Sequence, residues 1–330
     1  MNLKRFPADF SSAYNDNHFS FEGADPTVAT ELVFRTKEGA EIGVRRYVGR
    51  ESIDSSPRAL LMSGLTPEPL GVVEECGFLR PEGRDMTLSV EYNGGLSTSP
   101  EVCFVASLCD QQPDAIMGEP TQHRSIAPDE CDEVAFCLTE GAEIEATLVV
   151  DEIVQNSLGS YSASEKGVVV FAVSADAILS ELRSAESTTA FEIRFAIDGR
   201  ECASVHYSLR EPHADDVRLA WLAPDGTVAY HTFPSPQSVK LQTERTLYRS
   251  PSGSVTAGVE HWQESVLDSG VLSSADAQRL GEMLSSARLW RITEEGAEPQ
   301  IILSHQAEVG GRGVRRVILT LRPAATTKHY

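Results

Sequence analysis

Phe34-Arg35-Thr36-Lys37-Glu38-Gly39-Ala40-Glu41-Ile42 returns 102 residues later as Phe136-Cys137-Leu138-Thr139-Glu140-Gly141-Ala142-Glu143-Ile144. Each copy is an apolar run, a polar turn with a glycine, and a second apolar run, which is the pattern of a strand-turn-strand unit. Two further landmarks recur in the same order. The turn pair Asn93-Gly94 answers to Asp198-Gly199, both able to take positive φ in a tight hairpin. Ser107-Leu108 answers to Ser208-Leu209. Between them, Ile53-Asp54-Ser55-Ser56-Pro57 before Ala59-Leu60-Leu61 matches Val173-Ser174-Ala175-Asp176 before Ile178-Leu179. In each, a polar side chain can cap the orphan amides of a short helical turn. The second copy carries an extra polar segment, Gln155 to Lys166, read as a loop. The repeat implies a duplicated unit.

Working outward, short apolar runs punctuated by Gly, Asn and Asp dominate. Strands are expected at Val33-Phe34, Ile42–Val44, Met86–Tyr92 and Val102–Leu108. In the second copy they fall at Val134–Leu138, Ile144–Val150, Gly167–Val173, Phe191–Ile197 and Cys202–Leu209. From about Asp215 the pattern changes. A hairpin, Val217–Leu222 and Val228–His231, turns at Pro224-Asp225-Gly226-Thr227. Two longer strands follow, Val239–Tyr248 and Val255–Leu267. The clearest helix comes next, capped by Ser273 or Ser274, with Ala277, Leu280, Leu284 and Ala287 on one face. Arg288–Ile292, Ile301–His305 and Val314–Leu321 close the chain as strands, the last two joined through Gly310-Gly311-Arg312-Gly313. The expected fold class is mainly β: two tandem related β-sandwich domains, residues 1–112 and 113–213, then a β-rich C-terminal domain, 214–330, with one short α-helix at about 273–287.

Composition narrows function. The chain holds 49 acidic and 28 basic residues, a formal charge of −21. Such a surface repels phosphate backbones and anionic lipid, so no nucleic-acid partner and no membrane insertion are expected. Arg312, Arg315 and Arg316 form a local basic exception. The first residues lack an apolar signal segment, which favours manufacture in the cytoplasm. Six cysteines, Cys76, Cys103, Cys109, Cys131, Cys137 and Cys202, show no Cys-x-x-Cys spacing and read as reduced, mostly buried thiols.

Motifs of chemistry are missing. There is no phosphate loop, no His-Glu zinc motif and no G-x-S-x-G elbow. His206, His261 and His305 sit in strands and read as packed histidines. Asp129, Glu130, Asp132 and Glu133 crowd around Cys131. Their oxygens could hold Ca²⁺, but the glycine and spaced acids of a calcium loop are absent, so a solvated inter-domain linker is the reading. No catalytic, metal or cofactor residue emerges, and a non-enzymatic protein without cofactors is expected. Trp221, Trp262 and Trp290 all lie in the third domain and form core or an aromatic contact surface.

The third domain also carries a resemblance. Leu219-Ala220-Trp221-Leu222-Ala223-Pro224-Asp225-Gly226-Thr227 opens it and Val266-Leu267-Asp268-Ser269-Gly270 leads to the helix Ser273–Ala287. Leu289-Trp290-Arg291-Ile292, Gln300-Ile301-Ile302-Leu303 and Val317-Ile318-Leu319-Thr320-Leu321-Arg322-Pro323-Ala324 complete the order, with Phe6-Pro7-Ala8-Asp9-Phe10 and Ile53–Pro57 upstream. This order resembles tail-associated, distal-tail or baseplate-like proteins of phages and prophages of Bacteroides-type bacteria. The resemblance implies a structural tail-tip or baseplate component, located in the virion tail, whose partners are other tail proteins and copies of itself. It supplies no catalytic residues. A surface adhesin or carbohydrate-binding protein with immunoglobulin-like domains is the alternative on the same β architecture, with a glycan receptor as its partner.

Overall fold

The computed structural model describes all residues except 183–187, 235, 251–252, 309–314, 326 and 330. Strands dominate, and the described helices are α1 (Arg58–Gly64), α2 (Ala175–Glu181) and α3 (Ser274–Ser285). The chain is mainly β, as expected.

Residues up to about 112 build two facing sheets. One has the order Asn2–Arg5, Phe19–Glu22, Ser52–Ser55; the other runs Ser11–Ser12, Val102–Val105, Asp85–Tyr92, Thr30–Thr36, Glu41–Tyr47. The next hundred residues repeat this order. Ala115–Ile116, Cys131–Leu138 and Gly167–Ser174 form one sheet, and Thr121–Ile126, Arg200–Leu209, Ala190–Ile197, Glu143–Val150 and Ile153–Ser162 form the other. Even the polarity agrees, because the first strand of each larger sheet joins its neighbour in parallel and the remaining pairs are antiparallel. α1 and α2 occupy the same place in the two orders, each following the third strand of the smaller sheet. Ser174 caps α2 by accepting from the Ala177 amide, whereas Pro57 begins α1 without a side-chain cap.

The nine-residue echo itself does not fall on matching elements. Phe34–Ile42 spans a hairpin within one sheet, while Phe136–Ile144 crosses from one sheet to the other. The hairpin turns at Asn93-Gly94 and Asp198-Gly199 do correspond. The segment read as a polar loop, Gln155 onward, is a ten-residue edge strand, Ile153–Ser162. It escapes a sequence reading because it faces solvent over most of its length and so lacks an apolar rhythm.

Alternation places the cores. Phe191, Ile193, Phe195 and Ile197 point inward with Ile144, Ala146 and Leu148. Cys131–Leu138 and Gly167–Ser174 are buried on both faces: Val134, Phe136, Val169 and Phe171 enter their own core. Ala135, Cys137, Val168 and Val170 instead pack with Phe10, Cys103 and Val105 of the first unit. That is why Val168-Val169-Val170-Phe171-Ala172-Val173 reads as an unbroken apolar run. Cys103 and Cys137 lie in this junction, and burial pushes both thiols up. Cys76, Cys131 and Cys202 are half-buried and Cys109 is exposed; all six are free.

The last part is an antiparallel sheet in the order Val228–Phe233, Val217–Leu222, Leu289–Thr293, Gly296–Glu308, Arg316–Pro323, Gly253–Asp268, Ser238–Ser250, with Thr327–His329 beside Gly253–Asp268. α3 lies over it. Ser273 caps the helix by accepting from the Asp276 amide at 3.1 Å. Ala277, Leu280 and Met283 meet Leu219, Trp221, Leu267 and Leu319. The Gly310–Gly313 turn and Arg312 fall outside the described residues. Among the described residues no helix is long and apolar enough to cross a membrane.

Candidate functional site

Three devices join the units. First, the segment after α1 sends Gly77–Leu79 across to pair with Gly167–Ser174, extending the second unit's smaller sheet. Phe78 stacks its edge on Phe171 at 4.8 Å between ring centres. Second, the turn at Pro224–Gly226 plugs the seam between the first two units. The Leu108 amide donates to the Pro224 carbonyl at 2.7 Å, and the Gln111 side chain to the Asp225 carbonyl at 3.1 Å. Gly226 has φ +87°, and a Cβ there would sit 2.8 Å from the Ala106 carbonyl oxygen, so only glycine fits.

The third device overturns the expectation of a solvated acidic linker. Glu130, Asp132 and Glu133 are buried, and only Asp129 is exposed. Glu133, 1% exposed, accepts from Arg84 at 2.7 Å, from the Tyr230 hydroxyl at 3.1 Å and from the Leu70 amide at 3.3 Å. Those partners come from the first and third units, so this one carboxylate ties all three. Asp132 pairs with Arg124 at 2.8 Å. Glu130 accepts from Arg218 at 2.7 Å, from Thr232 at 2.6 Å and from Arg210. Arg218 also lies over the Tyr230 ring, 5.0 Å from its centre.

The electrostatics follow. Burial would raise the Glu130 carboxyl, but Arg218, Thr232, the Ala127 amide and Arg210 together hold it below the usual range. Burial pulls Arg124 down, and Asp132, Tyr207 and Glu133 together more than offset it. Tyr230 is pushed well up by burial and by Glu133 beside it. These paired charges fasten the three parts of the chain to one another. Sequence reasoning missed them because the arginines lie far away in the chain, and nothing local distinguishes a paired acid from a solvated one.

The three tryptophans, read as core or as an aromatic contact surface, lie in different surroundings. Trp221 is 0% and Trp290 5% exposed, so both are core. Trp262 stands apart on the long hairpin, donating to Glu264 at 3.0 Å and lying 5.4 Å from the Arg322 guanidinium. His206 stacks on His123 across parallel strands at 4.8 Å. Among the described residues no group of three or more His, Cys, Asp or Glu side chains is placed to hold a metal ion. A cleft of about 790 Å³ between the second unit and α3 mixes Arg124, Arg279 and His123 with Glu119, Asp225 and Glu282. The Arg315–Arg316 basic patch is reduced by an ion pair of Arg316 with Asp268.

An exposed apolar feature of the third part is a long two-stranded arm. Ser238–Ser250 and Gly253–Asp268 pair along their whole length. Among the described residues, the sheet pairs with them through Ser265–Asp268 on Arg316–Pro323, and Val259–His261 on Thr327–His329. From Gln242 to Ser250 the ribbon reaches roughly 25 Å. Leu241, Leu247 and Tyr248 on its outer strand are 72%, 61% and 54% exposed.

No protein-family model and no curated protein matches the sequence. Among solved structures, the chain is similar to a chain of the virion of a native gene transfer agent particle at 13% identity and TM-score 0.22, over 37% of this chain and 100% of that one. It is also similar to a chain of the six-fold symmetrised anti-feeding prophage baseplate at 14% identity and TM-score 0.21, over 36% and 96%. A third likeness, to E. coli alpha-2-macroglobulin, has 10% identity and TM-score 0.17, over 81% of this chain and 22% of that one. The functional reading therefore stands on the chain's own geometry.

Proposed function

We propose that this chain is a structural subunit of a phage or phage-like tail, a tail-tip or baseplate component that works by protein-protein contact and catalyses nothing. The observation that carries the reading is the contrast between a body locked by buried ion pairs and an exposed two-stranded arm with apolar side chains outward. Isolated two-stranded ribbons are marginal in water, and exposed strand edges invite pairing, so such an arm calls for a partner surface. The coinciding strand orders support reading residues 1–112 and 113–213 as copies of one sandwich, with 214–330 as the unit that bears the arm. Trp262, half-exposed at the arm's base, belongs to the proposed contact surface. On this reading the protein is made in the cytoplasm and ends in the tail of the particle.

Shortening the arm to a turn that joins Gln242 to Trp262 tests it. The body should keep its circular dichroism and melting behaviour while incorporation into tail-like particles is lost. Undiminished incorporation of the shortened chain, or a strict monomer that retains a sugar ligand, contradicts the reading.

A further inference from the structure

Each larger sheet ends in a strand whose outer edge has no described strand beside it, and so does the long sheet of the third unit. Two of these edges carry charges that select against a partner without opposite charges: Arg45 and Arg46 on Glu41–Tyr47, and Lys240, Glu244, Arg245 and Arg249 on Ser238–Ser250. The third, Ile153–Ser162, carries none. Its far end is covered where Phe78 meets Tyr161, at 6.2 Å between ring centres, but residues 153–157 are all exposed. Ile153 and Val154 are 63% and 61% exposed, two β-branched side chains in succession on opposite faces.

The turn leading into this edge is also unusual. Asp151 and Glu152 have φ of 51° and 63°, and a glutamate in the left-handed region is held there at a cost. The turn thereby presents two carboxylates immediately before the two exposed apolar residues.

Charge selects what fits. Residues 1–213 hold 36 acidic and 16 basic residues, and residues 214–330 hold 13 and 12. Nearly all of the net negative charge lies on the first two units. The outer strand of the arm has three basic residues against one acidic residue, interleaved with Leu241, Leu247 and Tyr248. It is the basic and apolar complement of an acidic and apolar tip.

We propose that the hairpin tip at Asp151–Ser157 receives the outer arm strand, Ser238–Ser250, of a second copy of this chain. The exposed edge adds the strand by main-chain pairing, Ile153 and Val154 meet the arm's apolar side chains, and the carboxylates of the tip meet Lys240, Arg245 and Arg249. The two patches differ, so the contact is head-to-tail, and repetition closes a ring or extends a filament. This rests on the assembly reading only in treating the arm as a docking element.

Sedimentation velocity of the full chain over a concentration series tests the contact. The parent chain should self-associate. A tip variant, Ile153→Lys with Val154→Lys, and an arm variant, K240E/R245E/R249E, should each associate at least about tenfold more weakly, the factor that corresponds to ~1.4 kcal/mol. Both should keep the parent's circular dichroism and melting, because every substituted side chain is exposed. Mixing them should restore a dimer and nothing larger, since one supplies an intact arm and the other an intact tip. A parent chain that stays monomeric, a tip variant that associates like the parent, or a mixture that stays monomeric overturns the proposal. The assembly reading fails separately, through incorporation of the arm-shortened chain into particles.

Discussion

Removing the Glu133 carboxylate should unfasten all three units at once. In Glu133→Ala, Arg84, itself 1% exposed, would keep its charge in the interior with the Glu68 carbonyl as its one hydrogen-bond partner among the described residues. The Tyr230 hydroxyl and the Leu70 amide would lose their acceptor too. Breaking one side of a buried ion pair costs about 3–5 kcal/mol, and the orphaned hydroxyl and amide push the figure toward the upper end. Replacing both partners behaves differently. Arg84 Nε and Nη1 have no protein partner even in the intact pair, so the pair is incompletely satisfied. Arg84→Met with Glu133→Met removes the orphaned charge and fills the volume, and should cost at least about 2 kcal/mol less than Glu133→Ala. Urea unfolding of the parent, Arg84→Met, Glu133→Met and the double variant gives the cycle, with Glu133→Ala measured beside them. Limited proteolysis near Glu211–Asp215 reports whether the third unit detaches. A Glu133→Ala chain within about 1 kcal/mol of the parent, or a double variant that costs the sum of the singles, refutes the fastening role.

Other outcomes follow from the same contacts. Gly226→Ala should destabilise the seam by about 1–3 kcal/mol and increase cleavage between the second and third units, because positive φ and the Ala106 carbonyl both oppose a Cβ. Burial, reinforced by Arg279, Arg218 and Arg210 and opposed by Asp276, lowers His231 from its ordinary 6.5 to about 4. The folded state keeps the imidazole neutral while the unfolded chain protonates it. Its contribution is therefore complete above pH 6.5 and is lost as pH falls toward 4, on the order of 3 kcal/mol. Urea midpoints at pH 7.5, 6 and 5 should fall more steeply for the parent than for His231→Gln. A thiol reagent should modify exposed Cys109 in the native protein and reach Cys103 and Cys137 only on unfolding, since burial keeps both as thiols. Equal labelling of all three in the folded state would contradict the junction packing.

Most of the strand content is legible in the chain because apolar alternation and turn pairs such as Asp198-Gly199 report local geometry. Short or wet strands are not. Asn2–Arg5, Ser52–Ser55, Thr121–Ile126 and Ile153–Ser162 are edge or near-edge pieces with too few inward residues to show a period. The echo of Glu38–Ile42 in Glu140–Ile144 pointed to similarity between halves that the strand orders share, yet those five residues occupy different connections. Polar turns of similar chemistry recur wherever a chain reverses. The three-unit fastening was illegible for a different reason. Glu130, Asp132 and Glu133 acquire their meaning from Arg84, Arg124, Arg210 and Arg218, which the fold gathers from remote positions. Met283 completes the buried face of α3 beside the partly buried Leu284, and Ala287 lies beyond the helix end.

On the proposed function, this chain is a building block whose arm engages other proteins of a tail. Co-expression with the products of its neighbouring genes, followed by purification and electron microscopy, tests this. The chain should enter a multi-copy complex in fixed proportion, with density on the arm from an adjoining subunit. Particles that assemble complete without it, or a purified chain that remains solitary beside those products, would contradict the account.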